Sequence, residues 1–218
     1  MNHTLSIIWA HKDELLSGVA TTAVLSLLAG ALSLVTGALF AAVLMSKRRA
    51  LARAAHAFVD LMRCTPFLLL VYLLYYGLPA FGVRLDNEPA GLLALLLYNT
   101  AYVAEILRSG WESRPREEIE ASHAFGFYGF QLIRRLILPP VFYSTAPLLG
   151  NQFIQIVKDS SFLTIIAVPE LTYAANNIQS NYYIPFAAFV AAVLLYWVLC
   201  SAIEFAVSAV RRVSEQYQ

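Results

Sequence analysis

The sequence predicts an all-α integral membrane protein with five transmembrane helices, its N-terminus outside and its C-terminus in the cytoplasm. Three observations predict this fold class. The chain of 218 residues is 59% hydrophobic and only 13% charged, whereas soluble domains are nearer half apolar and a quarter charged. Five segments are long and apolar enough to cross a bilayer as helices. The basic residues cluster on alternate connections between those segments.

Each predicted span contains about 20 mainly apolar residues, the length that a helix needs to cross lipid hydrocarbon. The spans are Gly18 to Ser46, Thr65 to Phe81, Pro89 to Leu107, Leu136 to Val157 and Pro185 to Val210. The connection 159–184 mixes an apolar piece, too short to cross the membrane, with a polar one. We expect residues 1–218 to form one domain, because the length leaves no room for a second folded module.

The basic residues predict the orientation. Twelve of the 15 Lys and Arg residues follow spans one, three and five, and only Lys12, Arg84 and Lys158 fall on the other side. Because cytoplasmic loops carry the excess of basic residues, the N-terminus is predicted outside. No cleaved signal is expected, since no basic region precedes the first apolar run. The net charge of +1 gives no reason to expect nucleic-acid binding.

The connection between spans three and four predicts a short helix outside the membrane, at about residues 115–125. Pro115 suits a first helical turn, and Gly126 is placed to end the helix. Three acids lie in the first turns, where the helix dipole favours them: Glu117, Glu118 and Glu120. Ala121 and Ala124 are small enough for another surface to approach the backbone. From these properties alone, a solvated amphipathic helix is the alternative interpretation.

The same connection carries a spaced motif. It reads Glu120-Ala121-Ser122, three residues, Gly126, nine residues and then Leu136-Ile137-Leu138-Pro139. This order resembles the EAA loop of ABC importer permeases, which reads Glu-Ala-Ala, three residues, Gly, nine residues, Ile-x-Leu-Pro. Ser122 and Leu136 depart from that pattern, and Glu117 stands where the family usually has Gly.

Further segments resemble the polar amino acid branch of that family (His, Gln, Glu, Arg and opine importers). Residues 63–68 resemble its Arg-Gly-Thr-Pro-Leu-Leu before span two, and residues 101–108 resemble its Ala-Tyr-x-x-Glu-x-x-Arg in span three. Residues 150–153, 158–161 and 168–171 follow its order in span four and beyond. The resemblance covers roughly residues 18–210.

The resemblance implies a MetI-like permease fold in which the helix at 115–125 is a coupling helix that docks on a separate ATPase. The docking residues it implies are Glu120, Ala121, Ser122, Ala124 and Gly126. The chain contains no Gly-x-x-x-x-Gly-Lys-Ser/Thr phosphate loop, so we expect no enzymatic activity in it. No cofactor or metal is expected in this chain, since ATP and Mg²⁺ would be bound by the partner ATPase.

The resemblance also implies the rest of the assembly and its location. It consists of two ABC ATPase subunits, a second permease subunit that is identical or homologous, and an extracytoplasmic solute-binding protein. The chain would be a multi-pass protein of the bacterial inner membrane, in contact with lipid, and the solute would be a polar amino acid. Which amino acid is carried stays open.

Polar residues inside the predicted spans are the candidates for the substrate path. On span four they recur at every fourth residue and share a helix face: Asn151, Gln155 and Asp159. On span three they are Asn99, Tyr102 and Glu105. Carboxylates can accept hydrogen bonds from the ammonium group of a zwitterion, and amides and Lys158 can donate to its carboxylate.

Other interpretations remain for these residues and for the chain. The amides can instead join helices to one another. Glu105 can pair with Arg108, and Asp159 can form a local gate with Lys158. The rival functions are a secondary transporter or channel driven by an ion gradient, and a membrane scaffold that transports nothing.

Overall fold

The computed structural model describes the backbone of residues 2–214 and the side chains of residues 4–208 except 116 and 130. The described residues are mainly helical and contain no strand. In chain order the α-helices are α1 (Asn2–Ala10), α2 (Lys12–Leu44), α3 (Arg49–Cys64), α4 (Phe67–Tyr72), α5 (Asn87–Glu112), α6 (Arg116–Ala124), α7 (Gly129–Leu132), α8 (Leu138–Asp159), α9 (Leu171–Tyr182) and α10 (Pro185–Ser214). Two π-helical turns, Leu73–Gly77 and Ile133–Ile137, and two 3-10 segments, Leu78–Phe81 and Ser160–Ile166, complete the set.

The predicted spans are all helical, but fewer than five of the described helices are apolar enough to cross a membrane by themselves. Three qualify by length and composition: α2, α5 and residues Pro185–Ser208 of α10. A fourth is present if α3 and the segment Phe67–Phe81, which meet at 108°, form one broken span. The 22-residue α8 is not among them. Its amides and prolines lower its mean hydropathy, so its place in the membrane stays a prediction.

Helices α2 and α5 form the centre of the bundle. Along α2, the buried positions are mainly small residues, which let neighbouring helices come close. At Gly37 a Cβ atom would lie 2.5 Å from Val103 Cγ1, and at Gly18 it would lie 2.8 Å from Leu171 Cα. Contacts this short show that no larger residue fits at either position without displacing α5 or α9.

The bend between α3 and α4 has a local cause. Pro66 has no backbone N–H, and it forces Thr65 into extended conformation (ψ 130°), so the helix ends and a new one begins. Val59 and Met62 of α3 then pack against the C-terminal parts of α2 and α5. The C-terminal ends of α2 and α5 therefore lie together, and we call this end of the bundle the basic end because Lys47 to Arg49 adjoin it.

The connection between α8 and α10 is more ordered than its mixed composition predicts. Residues 160–166 form a 3-10 segment, and α9 follows. Leu163 and Leu171 are completely buried, and Ala175 and Ile178 of α9 pack between α2 and α10. This connection is therefore part of the core of the bundle and not an external loop.

Candidate functional site

The short helix predicted at residues 115–125 is present as α6, and its end is built as the sequence predicts. Gly126 has a φ of +83°, a left-handed conformation that favours glycine. The N–H of Gly126 donates to the His123 carbonyl, and the N–H of Phe127 donates to the Ser122 carbonyl, each at 3.0 Å. These two bonds form a Schellman motif, which satisfies helix carbonyls and turns the chain sharply.

One face of α6 attaches it to the bundle. Ile119 packs against an apolar cluster formed by Leu132, Ile137 and Val141, and Trp111 and Phe127 pack against the same cluster. This apolar cluster therefore lies between α6 and the start of α8, next to the end of α5.

The predicted docking residues lie mainly on the free face of α6. Four of them are exposed: Glu120, Ala121, Ala124 and Gly126. Ser122 is half-buried and donates a hydrogen bond to the Glu118 carbonyl at 2.6 Å, so its hydroxyl serves the helix itself. Helix α6, the turn at residues 125–128 and α7 together form what we call the α6 hairpin. Phe125 was not predicted as a docking residue, yet it is 82% exposed at the tip of this hairpin. The sequence feature that could have predicted this exposed residue is its position directly before the motif glycine, Gly126.

The polar residues of α8 are divided between its exposed and buried sides. Asn151 and Gln155 are exposed, whereas Asp159 is only 4% exposed. Steps of four residues turn 40° around a helix, so three such positions drift away from a common line. Gln155 Nε2 donates to Asp159 Oδ1 at 2.8 Å. Within the described part of the chain, Asp159 Oδ2 is buried and has no hydrogen-bond partner.

Asn99 joins α5 to α8. It is fully buried, donates to the Leu95 carbonyl at 2.8 Å and accepts a hydrogen bond from Gln152 Nε2 at 2.7 Å. Both polar ends of the Asn99 amide are therefore occupied by the protein. Of the two interpretations offered by the sequence, the structure favours helix joining for Asn99.

Replacing Asn99 with Leu is expected to lower the free energy of unfolding by about 1 kcal/mol, because Gln152 then loses its interhelical acceptor. Thermal or denaturant unfolding of the purified chain in detergent measures this loss. Asn151→Leu is the matched control, since Asn151 is exposed on the same helix as Gln152. Equal losses in the two variants would show that the Asn99–Gln152 bond does not stabilise the bundle.

Two further residues of α5 have partners of their own. The Tyr102 hydroxyl lies 3.2 Å from that of Tyr98, a residue not predicted as part of the path. Glu105 accepts two hydrogen bonds from Arg108, at 2.7 and 2.9 Å, and its carboxylate lies 3.5 Å from the Arg63 guanidinium. The alternative that Glu105 pairs with Arg108 is therefore what the structure contains, and Arg63 ties the α3–α4 bend to the same group.

Sequence reasoning also missed the role of Glu170. This side chain is fully buried and caps α9, accepting bonds from the N–H groups of Thr172 and Tyr173 at 2.7 Å each. The Tyr196 hydroxyl of α10 donates to it at 2.7 Å. Burial raises the pKa of the Glu170 carboxyl above its ordinary value, while these bonds act in the opposite direction. The sequence feature that could have predicted this cap is an acidic residue directly before the first residue of α9.

Glu170→Ala is expected to lower the free energy of unfolding by about 2 kcal/mol, because α9 loses its cap and a buried hydrogen bond to α10. Glu88→Ala, at an exposed acid in the first turn of α5, is the matched control and should cost about 0.5 kcal/mol or less. Unfolding curves for both variants decide the matter. Similar small effects would mean that Glu170 does not hold α9 in place.

Comparison with known proteins then connects this geometry to a family. Residues 33–213 match the family described as "Binding-protein-dependent transport system inner membrane component". The chain belongs to this family. The match includes α5, α6 and α8, and so covers both the hairpin and the polar residues described above.

Relatives of this permease subunit are named as permeases for amino acids and their derivatives. "Probable glutamine ABC transporter permease protein GlnM" of Bacillus subtilis (strain 168) is 32% identical over 214 residues, which cover 98% of this chain and 99% of that protein. "L-cystine transport system permease protein TcyB" of the same organism is 30% identical, with 92% and 86% covered. "Nopaline transport system permease protein NocM" of Agrobacterium fabrum is 32% identical, with 88% and 84% covered.

Solved structures show that the permease fold is shared. The crystal structure of an amino acid ABC transporter with histidines has a TM-score of 0.90 and 30% identity, covering 95% of this chain and 97% of that one. An inward-facing structure of the MetNI methionine ABC transporter has a TM-score of 0.78, with 92% and 95% covered. At 21% identity, the second likeness shows the fold alone. The predicted MetI-like fold is thereby confirmed.

Proposed function

We propose that this permease subunit belongs to an ATP-driven importer of polar amino acids and spans the bacterial inner membrane five times. The single observation that carries the proposal is the exposed hairpin at α6, in a chain whose relatives are named as amino-acid ABC transporter permeases. The hairpin supplies an exposed contact surface for a separate ATPase. The polar residues of α8 supply a surface on which a small polar solute can move.

Five spans fit the distribution of charge better than three or four. With α8 and the segment Phe67–Phe81 counted as spans, the C-terminal ends of α2 and α5 and the N-terminal end of α8 lie on one side. The long basic connections are then all cytoplasmic, with the N-terminus outside. Among the basic residues whose side chains the structure describes, Lys12, Arg84 and Lys158 lie at the opposite end of the bundle.

The free face of α6 docks on the ATPase. Ala121 and Ala124 let the partner approach the helix, Glu120 offers a charge, and the exposed Phe125 ring offers an apolar anchor. Because Ile119 on the opposite face of α6 packs against the cluster of Leu132, Ile137 and Val141, closure of the ATPase pair would move the start of α8. ATP and Mg²⁺ stay on the partner.

Asp159 is the better of the two candidate acids for the ammonium group of the solute. Its Oδ2 atom is unpaired among the described residues, and Gln155 orients the other carboxylate oxygen. The carboxylate of Glu105, by contrast, already forms ion pairs with Arg63 and Arg108. Lys158, next in the chain, is exposed and offers a positive charge to the solute carboxylate.

A second permease subunit, identical or homologous, completes the path. Asn151, Gln155 and Lys158 are exposed on α8, and such side chains are costly against lipid hydrocarbon. A facing subunit would enclose them around a polar cavity. The remaining partners are two ATPase subunits and an extracytoplasmic solute-binding protein, as expected for a member of a binding-protein-dependent family.

The test is ATP hydrolysis by the reconstituted assembly. The chain, its ATPase and the solute-binding protein encoded beside it are placed in vesicles, and hydrolysis is measured with and without the solute. We expect the loaded binding protein to stimulate hydrolysis. Hydrolysis that ignores the loaded binding protein would support the scaffold instead, and transport without ATP would support a secondary transporter.

A further inference from the structure

Helix α3 exposes two different flanks beside the one that it buries. Ala55, Val59 and Met62 face the bundle. On the rest of the helix, one flank is apolar and exposed: Ala50, Ala54, Ala57 and Leu61. The other flank is polar and exposed: Arg49, Arg53, His56 and Asp60. An exposed apolar flank beside a basic one is the pattern of a helix that lies in a membrane interface.

The position of α3 agrees with this pattern. It meets the segment Phe67–Phe81 at 108°, so it lies across the direction of that span. It begins at Arg49, shortly after α2 ends at Leu44, and its buried flank packs on the C-terminal parts of α2 and α5. Helix α3 therefore lies across the C-terminal end of α2, where this predicted span ends.

The charges at the start of α3 have no acidic partner. Within the described part of the chain, Lys47, Arg48, Arg49 and Arg53 are all exposed and none of them forms an ion pair. The first turn of α3 contains no acid, although the positive end of a helix dipole favours one. Arg63 at the other end of α3, by contrast, pairs with Glu105. Along α3, the bases without an ion pair thus lie at its N-terminal end, at the corner between α2 and α3.

We propose that α3 is an interfacial helix whose bases Lys47, Arg48, Arg49 and Arg53 bind the phosphate groups of anionic phospholipids. A phospholipid can interact with both exposed flanks of α3, since its phosphate group binds the bases while its acyl chains cover Ala54 and Leu61. An acidic protein surface would satisfy only the bases. The inference rests on the proposed function to the extent that α3 lies on the cytoplasmic face of the membrane.

The test measures which lipids remain on the full-length permease in neutral detergent. The protein is incubated with equal amounts of phosphatidylglycerol and phosphatidylcholine, and native mass spectrometry counts the bound molecules. We expect phosphatidylglycerol to be preferred, and Arg49→Gln with Arg53→Gln to weaken the preference roughly fivefold per base. Arg134→Gln with Arg135→Gln is the matched control, because these exposed bases also lie outside the spans. An equal loss in the control, or no preference in the wild type, would overturn the proposal.

A second measurement separates lipid from protein as the occupant. Lys47 and Arg48 stay in place so that the loop still directs insertion, and membrane fractionation checks the yield of the variant. If Arg49→Gln with Arg53→Gln loses the ATPase in a pull-down but keeps its lipid preference, the occupant is the ATPase and the proposal is overturned. The lipid assay needs neither ATP nor solute. If the wild type shows no preference for phosphatidylglycerol but takes up solute normally, only this inference is contradicted. If it shows the preference but takes up no solute, only the proposed function is contradicted.

Discussion

Gly126→Val is expected to reduce ATP-driven uptake at least tenfold while the chain still enters the membrane. Gly126 adopts a φ of +83°, and a Cβ atom added there would meet nothing within 4 Å. The cost therefore comes from the backbone, since a β-branched residue is strongly disfavoured in the left-handed region. We expect the turn after α6 to rearrange and to displace Phe125 and Ala124 from the ATPase. Hydrolysis and uptake, measured together in vesicles, would show uncoupling.

Two variants provide the controls for this prediction. Gly126→Asn keeps the turn, because asparagine tolerates the left-handed conformation, and should retain most uptake. Gly82→Val introduces the same strain at a residue with a φ of +81° and equally open surroundings, but away from α6. Uptake should survive in that variant. Normal uptake in Gly126→Val, or equal losses at both glycines, would remove the coupling role of the hairpin.

Asp159→Asn is expected to lower uptake by about tenfold to a hundredfold with little change in stability. The two side chains have nearly the same shape, and an asparagine oxygen still accepts the bond from Gln155. What is lost is the negative charge for the ammonium group, and a hydrogen bond to a charged group contributes about 1.5–3 kcal/mol. Initial rates of uptake at several solute concentrations, together with unfolding curves, test both statements.

Glu105→Gln is the contrasting variant. Its carboxylate is held by Arg108 and Arg63, so neutralising it should reduce stability while the concentration dependence of uptake stays unchanged. If Glu105→Gln changes that dependence and Asp159→Asn does not, the roles that we give to these two acids are reversed.

The sequence predicted the hairpin well because its determinants are local. A proline, three acids and a glycine specify a helix start and a helix end over a dozen residues, and α6 runs from Arg116 to Ala124 as expected. The long apolar runs of α2, α5 and α10 were equally predictable, because a helix needs a minimum apolar length to cross the hydrocarbon of a bilayer. Helix α2 begins before its predicted start and α5 and α10 end after their predicted ends, because composition does not mark those ends.

What could not be predicted depends on contacts between distant parts of the chain. The core position of residues 160–182 follows from glycines on α2, such as Gly18 against Leu171, and a glycine does not reveal its neighbour. Asn99 and Gln155 are both amides inside predicted spans, yet Asn99 joins α5 to α8 while Gln155 is exposed. Periodicity assigns a face to each residue, but only packing decides what lies against that face.

Uptake of a labelled polar amino acid into vesicles is the measurement that tests the central claim most directly. The vesicles hold this chain with its ATPase, the binding protein is added outside, and ATP is enclosed at the ATPase side. We predict uptake that requires ATP, the binding protein and an intact α6 hairpin together. Uptake that continues without ATP and follows an ion gradient would contradict the account.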